Sequence, residues 1–160
     1  MYWDSVLTSV IQVAIAIAGF SGIVAVLGRR SEGEWDANDR IRLQGLLLGS
    51  FATMLFAFLP YILLSAEIAQ DLTWRVSSGV HAIVIGVVAI IRRRQLVTAS
   101  GRLSGSDAVA LCVVAVVVPL QVVNSVALGT VWPYLTGIIG HLVLTFVLFV
   151  RLLLDFRARR

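Results

Sequence analysis

A chain of 160 residues that is 59% hydrophobic, 14% charged and of mean hydropathy +0.94 is too apolar for an ordinary soluble domain, which is about a quarter charged. Its net charge of +4 comes from 13 arginines and no lysine against 9 acidic residues, held in short clusters between long uncharged runs. That pattern excludes a separate soluble domain of ordinary size and a nucleic-acid-binding module, and points to a polytopic membrane protein.

The first uncharged run predicts a span over 5–28. Asp4 precedes it and Arg29-Arg30 follow it, the reverse of a cleavable signal peptide, so the run is expected to stay as a membrane helix. Gln12 falls in its outer half. Ala14, Ala18 and Gly22 lie four apart on one face, and the stretch Ala18-Gly19-Phe20-Ser21-Gly22 stands out without a function attached to it. The loop 29–42 mixes Arg29, Arg30, Arg40 and Arg42 with Glu32, Glu34, Asp36 and Asp39. Solvated ion pairs account for it better than a calcium site, because the spacing matches no EF-hand. Asp36 is positioned to cap the helix that leads into the second span.

The second span is predicted over 43–66. Gly45-Leu-Leu-Leu-Gly49 is a GxxxG, continued by Thr53 and Ala57 in one small-residue stripe. Pro60 removes a ladder hydrogen bond near its outer end and predicts a kink. The third span, 76–91, has only sixteen residues between Arg75 and Arg92, about 24 Å as a helix. Either the two arginines extend to the headgroups and the bilayer thins, or neighbouring protein shields the helix. It carries His81 and a Ser78, Ala82, Gly86 stripe. The following loop, 95–107, is rich in Ser and Gly, with Ser106 or Asp107 as a cap for the next helix.

Residues 108–150 contain no charged side chain. One helix of that length would be about 65 Å long, twice the hydrocarbon thickness. Gly129-Thr130-Val131-Trp132-Pro133 divides the run into spans over 108–128 and 131–150, with Pro133 at a helix start. Pro119 predicts a second kink. Gln121 and Asn124 lie beyond it, and His141 stands ten residues into the last span, about 15 Å deep and near the midplane. The lone Cys112 reads as packing.

Arginine placement sets the orientation. Twelve of the 13 fall in the first loop, the third loop or the tail, and only Arg75 falls on the other side. The positive-inside rule puts those three segments in the cytoplasm. Tyr2, Trp3, Tyr61, Trp74, Trp132 and Tyr134 gather near the expected outer boundary and Trp35 near the inner one, as an aromatic belt would. The expected fold is an all-α membrane protein: one integral domain over 1–160, a bundle of five transmembrane helices with the N-terminus outside and the C-terminus cytoplasmic. Arg92, Arg93, Arg94, Arg157, Arg159 and Arg160 are expected at anionic lipid headgroups, at about 1 kcal/mol each. A bacterial inner membrane is the expected location.

Function is less determined. No Asp or Glu lies inside a span, whereas proton-coupled carriers and pumps usually place one there. Two histidines and one cysteine make no metal cluster, no phosphate loop appears, and neither a cofactor nor catalysis is expected. The polar residues Gln12, His81, Gln121, Asn124 and His141 come from four spans, and facing one another they would form an outward-opening vestibule. His141 then reads as a gate, sensor or substrate contact; otherwise it is bonded inside the bundle. Gly45, Gly49, Ala18, Gly22 and Gly86 mark helix-packing faces, within one bundle or between copies. The leading expectation is a homo-oligomeric channel or permeation module in anionic lipid. The alternatives are a scaffold or regulatory subunit bound to another membrane protein, a small secondary carrier, and, least supported, a lipid-modifying enzyme. The permeant species, oligomer number, partner and trigger are not legible.

Overall fold

In a bilayer a helix satisfies its own backbone, so long apolar segments fold as helices first and pack second. The computed structural model describes the backbone of residues 2–32, 37–99 and 105–158, and the side chains of 2–24, 26, 43–91, 108–151 and 153. Its elements are α1 (Tyr2–Glu32), α2 (Ala37–Ser65), α3 (Gln70–Ala99), α4 (Gly105–Val123), a π-helical turn (Asn124–Leu128) and α5 (Val131–Ala158). No strand occurs among the described residues.

Five segments are long and apolar enough to cross a membrane: Tyr2–Val24, Leu43–Ser65, Gln70–Ile91, Ala108–Leu128 and Val131–Arg151. At 21 to 23 residues each they are about 32 to 35 Å long. Only 17% to 33% of the residues in their most apolar stretches are buried, and each span exposes an apolar surface. On α2 that surface is Leu48, Phe51 and Leu55, each more than half exposed. Such a surface is stable against acyl chains and not against water.

The segment expected to be short is not. The sixteen-residue run lies inside a 30-residue helix, and its apolar portion starts at Gln70. Asp71 and Arg75 had clipped the run on charge alone. Asp71 sits in the first turn of α3, where a carboxylate complements the helix dipole, and Arg75 is turned onto neighbouring backbone. Neither thinning nor shielding is needed. At the other end α3 continues to Ala99 and α4 begins at Gly105, so helix replaces much of the expected loop. Ser106 and Asp107 fall in the first turn of α4, after its start. Both α2 and α4 run through Pro60 and Pro119, and the departure from α winding comes five residues after Pro119, in the π turn.

The chain forms two compact units, residues 1–57 with 141–160, and residues 58–140. It passes between them inside α2 and again inside α5. In the first unit α1 buries Leu7, Val10, Ala14, Ile17 and Ser21, a three-four spacing that marks one helix face. Ile17 and Leu46 form a core with Val24, Leu43, Leu142, Leu148 and Phe149. A Cβ added at Gly49 would stand 2.9 Å from the Thr145 hydroxyl, so this glycine lets α2 and α5 approach closely. Ser21, Thr53 and Thr145 turn their hydroxyls back onto carbonyls of their own helices, at Ile17, Gly49 and His141.

In the second unit α2 ends in a Schellman motif. The Ile68 N–H donates to the Leu63 carbonyl at 3.2 Å and the Glu67 N–H to the Leu64 carbonyl at 3.0 Å. Glu67 occupies the left-handed position, φ 59°, that glycine usually takes. Helix α3 buries Thr73, Trp74, Ser77, Ser78, His81, Ala82 and Ile85, so its inward face is polar where that of α1 is mainly aliphatic. Trp74 and Tyr134, expected in the headgroup belt, are instead buried, their rings 5.8 Å apart. Trp132 is 56% exposed.

Candidate functional site

The densest polar cluster lies in the second unit, where α3, the π turn and the start of α5 meet. Asn124 is its centre and is fully buried. Its Nδ2 donates to the Ser78 hydroxyl at 2.7 Å and to the Thr130 carbonyl at 2.9 Å. Its Oδ1 accepts the Thr130 N–H at 3.0 Å. One amide thus serves both backbone groups of Thr130 and ties the turn to α3. These bonds use both donors and the acceptor, so little of the side chain is left for a ligand.

Winding places the amide. The Gly129 N–H donates to the Asn124 carbonyl at 2.9 Å, five residues back, and Gly129 has φ 62°. A Cβ at Gly129 would meet Arg75 Nε at 2.8 Å and the Asp71 carbonyl at 3.2 Å, so glycine is required by conformation and by space. Arg75 closes the end of the turn. Its Nη1 donates to the Val126 carbonyl at 2.9 Å and its Nη2 to the Ala127 carbonyl at 3.0 Å. A guanidinium on the last carbonyls of a helix satisfies groups with no partner in the helix and complements the negative end of its dipole. The single arginine outside the clusters of 29–42, 92–102 and 151–160 therefore has a structural task. Sequence reading missed it, because nothing local links residue 75 to residues fifty positions later.

One turn before Asn124, Gln121 is also fully buried, and its Nε2 donates to the Pro133 carbonyl. The amide occupies the space a side chain would take at Gly137, with the His81 ring beside it. His81 is fully buried and stands nearly edge-on to Tyr134 at 6.2 Å and 75°. Gln121, Asn124 and His81 are thus brought into one packed unit, in which the two amides are hydrogen-bonded between elements and the His81 ring packs against Tyr134. Gly79 meets the Ser125 hydroxyl at 2.8 Å from its Cβ position, which closes the same seam.

The remaining sequence candidates lie in the first unit. His141 is half-buried, its ring 5.9 Å from Phe56 and tilted by 53°, and its carbonyl receives the Thr145 hydroxyl. Gln12 is exposed on the outer side of α1. Of the small residues, Gly49 packs against Thr145, Gly45 and Ala18 are half-buried, and the Cβ positions of Gly22 and Gly86 have nothing within 4 Å. The candidates therefore divide into residues that pack this chain and residues that face away from it. Cys112 is exposed. Arg159, Arg160, Trp35 and Asp36 lie outside the described residues, as do the side chains of Arg92, Arg93, Arg94 and Arg157.

Chemically the cluster is amide, hydroxyl, imidazole and indole, with no carboxylate bonded into it. Among the described residues no three His, Cys, Asp or Glu side chains come together to hold a metal ion. The arrangement positions helices, and nothing in it activates a nucleophile or a water. No protein-family model, curated protein or solved structure matches the chain.

Proposed function

We propose that this chain is an integral membrane scaffold or regulatory subunit of a bacterial inner membrane, with its N-terminus outside and its C-terminus in the cytoplasm. One observation carries the reading. The polar residues best placed to line a path, Gln121 and Asn124, are fully buried, and they bond α4 to α5 and the π turn to α3 and Thr130 respectively. Interhelical bonds of this kind hold a bundle at about 0.6 kcal/mol each on average. A small chain whose polar side chains serve its own packing, and whose helices present apolar surface outward, is built to be recognised by other membrane helices and lipid.

The orientation gains support from Arg75, since its charge is taken up by backbone carbonyls and the other twelve arginines share one side. Those twelve fit an anionic cytoplasmic leaflet. A homo-oligomeric permeation module is the second reading, favoured by the exposed Thr8 and Gln12 on α1: a path would run between copies and not through one chain.

The experiment is reconstitution of the purified chain in liposomes beside analysis of its native membrane complex. A scaffold passes no ions or small solutes, and runs with a second polypeptide at fixed stoichiometry through two different separations. Solute flux from verified, oriented protein that Gln12→Leu abolishes would replace this reading with the permeation module.

A further inference from the structure

We propose that α1 pairs with α1 of a second copy of this chain, across an outward face centred on Gln12. The face is the reverse of the buried one. Leu7, Val10, Ala14, Ile17 and Ser21 point inward; two positions earlier in each case, Ser5, Thr8, Gln12, Ile15 and Gly19 are exposed. Two residues are about 200° around a helix, so these are opposite sides.

Depth makes Gln12 significant. Gln12 stands ten residues inside the apolar segment that begins at Tyr2, about 15 Å along the helix, well within the hydrocarbon. An amide brings two N–H donors and an acceptor oxygen. Ser5 and Ser9, on the same side of α1, return their hydroxyls to the carbonyls of Tyr2 and Ser5 at 2.9 and 2.8 Å. Gln12 makes no hydrogen bond among the described residues. Acyl chains offer it nothing, and a polar group held in hydrocarbon without a partner is costly. The outward Leu48, Phe51 and Leu55 of α2 carry no such demand.

A second copy meets the demand because the amide is its own complement. Copies of one chain insert the same way up, so a two-fold axis along the membrane normal sets Gln12 beside Gln12 at equal depth. Each Nε2 can then donate to the opposite Oε1. Seven residues on, about 10.5 Å along the helix, Gly19 has nothing within 4 Å of its Cβ position. Two backbones can close there, with Phe20 and Ile23, both more than half exposed, flanking the contact. The pairing rests on α1 crossing the membrane and holds whether the protein scaffolds or conducts.

The test uses the full chain with Cys112→Ser. In native membranes, Gln12→Cys oxidised with copper phenanthroline is expected to give a disulfide-linked dimer, and Phe51→Cys is expected to give none. In lipid vesicles, energy transfer between labelled copies is expected to report an association constant about tenfold lower for Gln12→Leu than for the parent, with Gln12→Asn in between. Circular dichroism identical to the parent shows that the exposed substitution leaves the helices intact. A monomeric parent at all lipid dilutions overturns the proposal, as does unchanged pairing of Gln12→Leu. A residue-12 adduct with a different polypeptide in place of the dimer also overturns it. Flux is read on the parent chain, so a parent that pairs without conducting and a parent that conducts are told apart.

Discussion

Removal of the Asn124 side chain tests the packed-core reading most directly. Asn124→Ala loses three hydrogen bonds of 2.7, 2.9 and 3.0 Å and a longer one of 3.4 Å from the Thr130 hydroxyl, which adds little. At about 0.6 to 1 kcal/mol each, the loss is about 2 to 3 kcal/mol. Two reliefs keep it from being larger. Thr130 is exposed, so its freed N–H and carbonyl can turn to water, and Ser78 can rotate its hydroxyl onto a carbonyl of its own helix. Asn124→Leu separates bonding from volume: it fills most of the space and restores no bond, so it is expected to stay destabilised by a similar amount. Asn124→Asp is expected to be worse than Ala, because a carboxylate oxygen then faces the Thr130 carbonyl. The assay is reversible unfolding in lipid–detergent micelles titrated with dodecyl sulfate and followed by circular dichroism, where 2 to 3 kcal/mol is roughly a 30- to 150-fold change in the equilibrium constant. A change below about 0.5 kcal/mol for both Ala and Leu would refute the argument that this amide locks the turn.

Gly137→Ala places a methyl where the Gln121 amide sits, and is expected to cost about 1 to 3 kcal/mol in the same assay. Adding Gln121→Ala should recover part of that loss, a non-additive pair; simple additivity would show that the two residues do not share the space. Glu67→Gly relieves a left-handed non-glycine residue in the α2 cap and should stabilise by about 0.5 to 1 kcal/mol, read as a higher unfolding midpoint. For orientation, Thr130→Cys in a Cys112→Ser background should react with an impermeant maleimide only from outside, and Ser100→Cys only from the cytoplasm. The opposite pattern at either position would invert or break the five-span arrangement.

Span number was legible because charge is excluded from hydrocarbon: the turn at Gly129 divided the longest run where the structure divides it, at Leu128 and Val131. The third helix was misjudged for the same reason. A charge ends an apolar run in a count, but Asp71 lies in the first turn of α3, Arg75 bonds the carbonyls at the end of the π turn, and neither ends the helix. The π turn was not legible, since nothing in Asn124-Ser-Val-Ala-Leu128 forbids α winding. Gly129 in its left-handed conformation and the Arg75 contacts, one local and one distant, accompany it. The polar residues were found by type, whereas their roles were not: the partner of Asn124 across the bundle, Ser78, is 46 positions away. The contact with Thr130, six residues on across a turn, was within reach of the sequence. Small residues marked packing faces without saying which helix they meet, so Gly49, against Thr145, looked the same as Gly22 and Gly86, whose Cβ positions have nothing within 4 Å among the described residues.

Arg75 also bears on how the protein is built. Its acceptors, Val126 and Ala127, follow it by 51 and 52 positions, so the charge leaves the ribosome several seconds before the carbonyls it will bind, at about 5 to 20 residues per second. Until then its charge must stay hydrated. The third helix therefore gains the partners of its arginine only when the turn after the fourth has been made, which couples the folding of the two.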